Sequence, residues 1–133
     1  MRGRLRGLTD TKEGRLAVIA VVGGTLMIGV ALGNLAMADA ADSTAGAVRR
    51  HLRHELSVVS DESIASYPES ADAIESLAAT AVAGEPARVL GSTRRDDEVV
   101  VAVQAGWGWQ VRCVEAELRG GATVLTYVRP RPC

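Results

Sequence analysis

Phenylalanine is absent from this chain of 133 residues, and lysine and asparagine occur once each, at Lys12 and Asn34. With only two tryptophans and two tyrosines besides, a large aromatic core is excluded, so a small domain here must rest on aliphatic packing or a cross-link. Two histidines and two cysteines make a poor zinc set, and no cofactor is expected. The net charge of −1 gives no bulk electrostatic attraction to nucleic acid. No nucleophile elbow, phosphate loop or Ser/His/Asp constellation occurs, so the chain reads as non-catalytic. What is abundant is Ala, Val, Gly and Arg, with fourteen arginines beside the one lysine. Their codons are GC-rich, which points to a high-GC bacterial genome and weakens any argument from Ala or Arg counts alone.

Charge is laid out unevenly. Residues 1–15 carry five basic residues against two acids, whereas residues 39–133 carry ten arginines and fourteen acids. Between them residues 16–35, LAVIAVVGGTLMIGVALGNL, hold no charge at all. As a helix this run spans about 30 Å, the thickness of a bilayer core. The basic flank lies on its N-terminal side, and the next arginines beyond it are Arg49, Arg50 and Arg53. The positive-inside rule then gives residues 1–15 as a basic cytoplasmic tail and residues 16–38 as a transmembrane signal-anchor, with the rest extracytoplasmic. The lipid bilayer is the first expected partner. The alternative is a cleavable signal. Ala36-Met37-Ala38 fits signal peptidase cleavage after Ala38, which would release a secreted domain. Thr25, Gly29 and Gly33 lie four apart on one helix face and include a GxxxG match, a close-packing surface for a homodimer or an envelope protein partner.

Residues 39–86 read as helical. Ala45, Val48, Leu52, Leu56 and Val59 form an apolar stripe within 44–59, starting from a cap at Ser43 or running on from the membrane segment. Residues 60–69 form a polar break, and Pro68 suits the first turn of a helix over 70–83. That helix places Ile74, Leu77, Ala78 and Ala81 on one face, with Gly84 as its cap and Pro86 as a stop.

Residues 87–133 read as an antiparallel β region. A charged turn at Arg94-Arg95-Asp96-Asp97 precedes EVVVAVQA, a β-branched run suited to a central strand covered on both sides. Gly106-Trp107-Gly108 is a loop or bulge. Residues 109–118 and 122–129 flank Gly120-Gly121, a hairpin signal. Within 109–118 apolar residues fall on both faces, which a bulge near Cys113 would reconcile. Pairing Arg119 with Ala122 would put Cys113 opposite residue 128. The expected fold is therefore α+β: one transmembrane helix, then two helices and about four antiparallel strands.

Cys113 and Cys133 fall on the predicted outer side, where a disulfide between them is permitted, with a bond between chains through Cys133 or reduced thiols as the alternatives; closing a loop of this length contributes about 3 kcal/mol. His51, His54 and Glu55 share a helix face at metal-ligand spacing, yet Arg49, Arg50 and Arg53 crowd it, so a solvated or lipid-facing surface is the expectation. Asp96, Asp97, Glu115 and Glu117 read as solvated faces as well. Trp107 and Trp109 read as core-filling residues, with an aromatic contact site for a partner, glycan or membrane interface as the alternative.

An N-terminal apolar helix, a β meander and a C-terminal disulfide together resemble type IV pilins and pseudopilins in outline. Those proteins carry a glycine at the processing site and a glutamate early in the mature apolar helix. Gly14 is present, but residues 15–35 hold no glutamate, and the chain is not assigned to that family. The expected function is that of a single-pass bacterial membrane protein with a non-catalytic interaction domain, an accessory subunit of an envelope complex. The alternative is a secreted binding domain that uses Trp107 and Trp109.

Overall fold

The computed structural model describes residues 12–133. The greater part of the basic tail, residues 1–11, lies outside them. The chain divides into two compact units, residues 1–36 and 37–133, and its architecture is α+β.

Helix α1, Lys12–Leu56, carries no proline and runs through both units. Ser43 therefore lies inside a helix instead of capping one. In the first unit the apolar side chains from Leu16 to Leu35 are exposed on every side of α1, and the helix is long and apolar enough to cross a membrane. In the second unit Ala41, Ala45, Val48, Leu52 and Leu56 are buried, at spacings of four, three, four and four. That period keeps them on one stripe of the helix. Val59 is also buried, but it follows the helix, tied back by its N–H to the Leu56 carbonyl at 3.2 Å.

The polar break contains a short helix, α2, Asp61–Ala65. Ser60 caps it, accepting from the Ser63 N–H at 3.2 Å, and Ile64 points into the core. A single apolar side chain in a polar stretch gives no periodicity, which is why the sequence reads there as loop. Pro68, after a cis peptide bond from Tyr67, lies three residues before the next helix begins and so is not in its first turn. That helix, α3, spans Ala71–Val82 and ends on Ala83, one residue before Gly84. It buries Ile74, Ala78, Ala81 and Val82, with Leu77 partly covered.

Four strands follow: β1 Ala87–Arg95, β2 Glu98–Trp107, β3 Gln110–Arg119 and β4 Thr123–Arg129. They form one antiparallel meander in the order β1-β2-β3-β4. Asp96 and Asp97 make the first turn between the paired Arg95 and Glu98. The last connection holds three residues, because Arg119 pairs with Thr123 and not with Ala122. Gly121 at φ 76° and Ala122 at φ 59° take left-handed conformations there. Cys113 consequently faces Arg129, one residue beyond the position expected from a two-residue turn.

The sheet's inner face carries Val99, Val101, Val103 and Ala105 from β2, Val114, Ala116 and Leu118 from β3, and Val124 from β4. These side chains form one cluster with Ala45, Val48, Leu52 and Leu56 of α1, Ile64 and the buried face of α3. β3 contains no bulge: its register with β2 is unbroken from Leu118 to Gln110. Its two apolar faces are both real, since Val111 and Cys113 are buried on the opposite side. The bulge sits instead in β1, between Val89 and Gly91, where Gly91 at φ 146° supplies backbone that other residues rarely adopt.

Burying a leucine side chain stabilises a fold by about 1.5–3 kcal/mol, and Leu52 is fully buried where α1 meets the other elements. Leu52→Ala is expected to cost about 2–5 kcal/mol because a cavity is added to the lost transfer energy. Leu90→Ala, at a side chain 45% exposed beside the bulge, should change stability by no more than about 0.5 kcal/mol. Chemical denaturation of the full chain in micelles, followed by far-ultraviolet circular dichroism, checks the contrast; equal shifts would argue against this core.

Candidate functional site

The outer face of the sheet is closed by the chain's last residues. After Arg129 the tail turns back across the sheet, and Cys133 bonds Cys113 with a Cα–Cα separation of 4.8 Å. The Cys133 sulfur lies 3.6 Å from the Val103 carbonyl oxygen, so the tail reaches over β3 to β2. Beneath it Val100 and Cys113 are buried. Glu115 is buried too, at 9% exposure, which corrects the expectation of a solvated face. Its carboxylate accepts from Arg129 at 2.8 Å and lies 3.9 Å from Arg95. Glu117 is half-buried and paired with Arg119 at 3.4 Å. Glu115 joins β3 to β1 and β4, whereas the Glu117–Arg119 pair lies within β3; a carboxylate held between two guanidiniums serves cross-strand pairing.

The hairpin joining β2 to β3 places Trp107 and Trp109 outside the core. Trp107 is 66% and Trp109 73% exposed, which overturns their reading as core fillers. The cause is where the covering elements stop. Trp107 continues the inward-facing alternation of Val101, Val103 and Ala105, but Ala105 is the last of that series in the core cluster. Trp109 and Gly108 form the two-residue turn between the paired Trp107 and Gln110. Gly108 sits at φ 56° and Gly106 at φ 117°. A Cβ on Gly106 would fall 2.3 Å from the Gln110 carbonyl oxygen, so only glycine lets the strands approach so closely. The Gly106 N–H also donates to the Pro86 carbonyl at 2.9 Å, tying the hairpin to the start of β1.

Polar bridges hold this domain's helices on the sheet. Arg112 meets Asp42 of α1 at 2.6 Å, and Arg53 donates to the Thr126 hydroxyl at 3.1 Å. Asp61 accepts from the Gly121 N–H at 2.8 Å. The Tyr67 hydroxyl donates to the Ser92 carbonyl at 2.8 Å. None of these pairs is adjacent in sequence, and no motif announces them; only the strand register brings the partners together.

The other sequence candidates lie apart. His51 and His54 are exposed on α1, and His54 borders a shallow hollow of about 380 Å³ with Arg49, Arg50 and Arg53. Among the described residues no group of three or more His, Cys, Asp or Glu is placed to hold a metal ion. In the first unit the Thr25 hydroxyl donates to the Val21 carbonyl at 2.8 Å, within its own helix. A Cβ added at Gly29 or Gly33 would meet open space. Ala36 and Ala38 both lie within helical backbone.

Replacing Cys133 by serine is expected to lower stability by about 3 kcal/mol, the chain-entropy value for a loop of this length, seen as a fall in denaturation midpoint that reductant reproduces in the parent chain. Gly106→Ala should cost more than Gly108→Ala, because both positions strain a side chain but only the first also clashes. Comparing the two variants' midpoints checks this. No protein-family model, curated protein or solved structure matches the chain.

Proposed function

We propose that the chain is a single-pass membrane protein of a bacterial envelope. Its N-terminus is cytoplasmic, and its α+β domain stands outside as a non-catalytic interaction module, an accessory subunit of an envelope complex. The observation that carries this reading is the contrast between the two units. Residues 16–35 carry no charge and expose apolar side chains all round, a surface suited to lipid and costly in water. Residues 37–133 form a separate unit with one hydrophobic cluster and a disulfide, as suits an oxidising compartment. Basic residues concentrated before the span support the orientation.

The open surface beside Gly29 and Gly33 supports packing against a second copy or a partner's helix. A non-catalytic role is supported by the use made of the polar side chains. Glu115, Arg112 and Asp61 are engaged in joining one element to another. A second reading, a domain secreted after cleavage at Ala38 that binds a protein or glycan through its tryptophans, is favoured by the Ala36-Met37-Ala38 pattern and by the exposure of both indoles. Against it, α1 is helical through those residues, and a peptidase that takes extended chain would have to unwind it.

The deciding measurement is the intact mass of the natively expressed protein from washed membranes and from medium, without reductant. A full-length species confined to membranes is expected, two hydrogens lighter than the reduced chain. A species beginning at Asp39 in the medium would overturn the anchor.

A further inference from the structure

The exposed hairpin tip lies at a particular end of the domain. Within residues 37–133 two contacts fix how α1 and β3 run against each other. Asp42 of α1 meets Arg112 of β3. Arg53 of α1 meets Thr126, whose β3 partner is Ala116. Between these points α1 advances eleven residues, about 16 Å, and β3 advances four, about 13 Å. Helix and strand therefore run in the same direction over similar distances. Going back from the first contact, β3 reaches Trp109 three residues before Arg112, about 10 Å further. The helix reaches Met37 five residues before Asp42, about 7 Å further. The tip thus stands level with the point at which the chain enters the domain, or slightly past it. Only Ala36 separates that point from the uncharged apolar run 16–35. The opposite end carries the β1–β2 and β3–β4 turns, and there Asp61 holds Gly121.

We infer that Trp107 and Trp109 form a lipid-interface anchor, seating the domain on the headgroup region of the membrane that residues 16–35 span. The inference rests on the membrane reading above and adds to it a second point of attachment. Indole suits this role because it is a large apolar ring with one N–H donor, and tryptophan concentrates where hydrocarbon gives way to headgroups. The left-handed glycines hold both rings at the end of a paired hairpin, so little ordering is required when they meet lipid. Beside Trp107 a hollow of about 300 Å³ is bordered by Arg88 and Glu85. Opposite charges there leave the attraction to the rings, and anionic lipid is not required.

The test exploits the fact that these are the only tryptophans in the chain, so its indole fluorescence reports on the tip alone. The full-length protein is reconstituted into phosphatidylcholine vesicles, with and without bromine on the acyl chains close to the headgroup, and each preparation is floated on a density gradient. The expected result is flotation, loss of most of the emission in brominated vesicles, and weak quenching by aqueous iodide. Trp107→Tyr and Trp109→Tyr, each leaving one indole, should both retain lipid quenching. Flotation with water-like emission, strong iodide quenching and no effect of bromine would overturn the tip anchor while leaving the transmembrane reading intact. That pattern would give the tip to a soluble partner. Failure to float would overturn both readings.

Discussion

Everything in the domain of residues 37–133 depends on how α1 seats on the sheet. Ala45, Val48, Leu52 and Leu56 of its stripe share one hydrophobic cluster with valines, alanines and Leu118 of the sheet. Among the described residues the only aromatic ring packed against this cluster is the partly buried Tyr67, so the hydrophobic term comes mostly from many aliphatic contacts of modest size. The bridges from Asp42 to Arg112 and from Arg53 to Thr126 stand along the same contact. They contribute less to stability than to alignment, because exposed polar pairs are individually weak. By fixing the helix along β3 they decide which loops lie near the point of chain entry and which lie far from it.

The second face of the sheet meets its burial requirement differently. Four strands of this length cannot be covered by three helices on both sides, and the residues left over are few: Val100, Val111 and Cys113 are buried there. A four-residue tail, 130–133, is enough to cover part of such a patch if it is held in place, and the Cys113–Cys133 bond holds it. Glu115 beneath the tail has its charge compensated by Arg129 and Arg95, which offsets the cost of burying an acid. The same bond holds residues 130–133, Pro-Arg-Pro-Cys, a stretch with little intrinsic tendency to fold.

The β2–β3 hairpin departs from this economy. It extends past the last core layer and carries the chain's only two tryptophans outward on a turn shaped by Gly106 at φ 117° and Gly108 at φ 56°. Exposed indoles are costly in water, and a domain with so few large side chains has every stability reason to bury them. That they stand outside is the strongest sign that they serve a contact.

Much of the local order was legible in the sequence: the uncharged run 16–35, the α1 stripe at helical spacing, the turns at Asp96-Asp97 and Gly120-Gly121, and the pairing of two lone cysteines. Each is local, or follows from there being no other partner. Tertiary structure alone decided the exposure of Trp107, the burial of Glu115, the unbroken register of β3, the bulge in β1 and the helical turn that buries Ile64. An alternating pattern says which side of a strand a residue faces, but not how far the helix on that side extends. Trp107 obeys the inward alternation and still lies in the open because the core ends at Ala105. Glu115 reads as a surface acid and is buried because residues 130–133, distant in sequence, fold over it. Periodicity is written in neighbouring residues, whereas cover is supplied by distant ones.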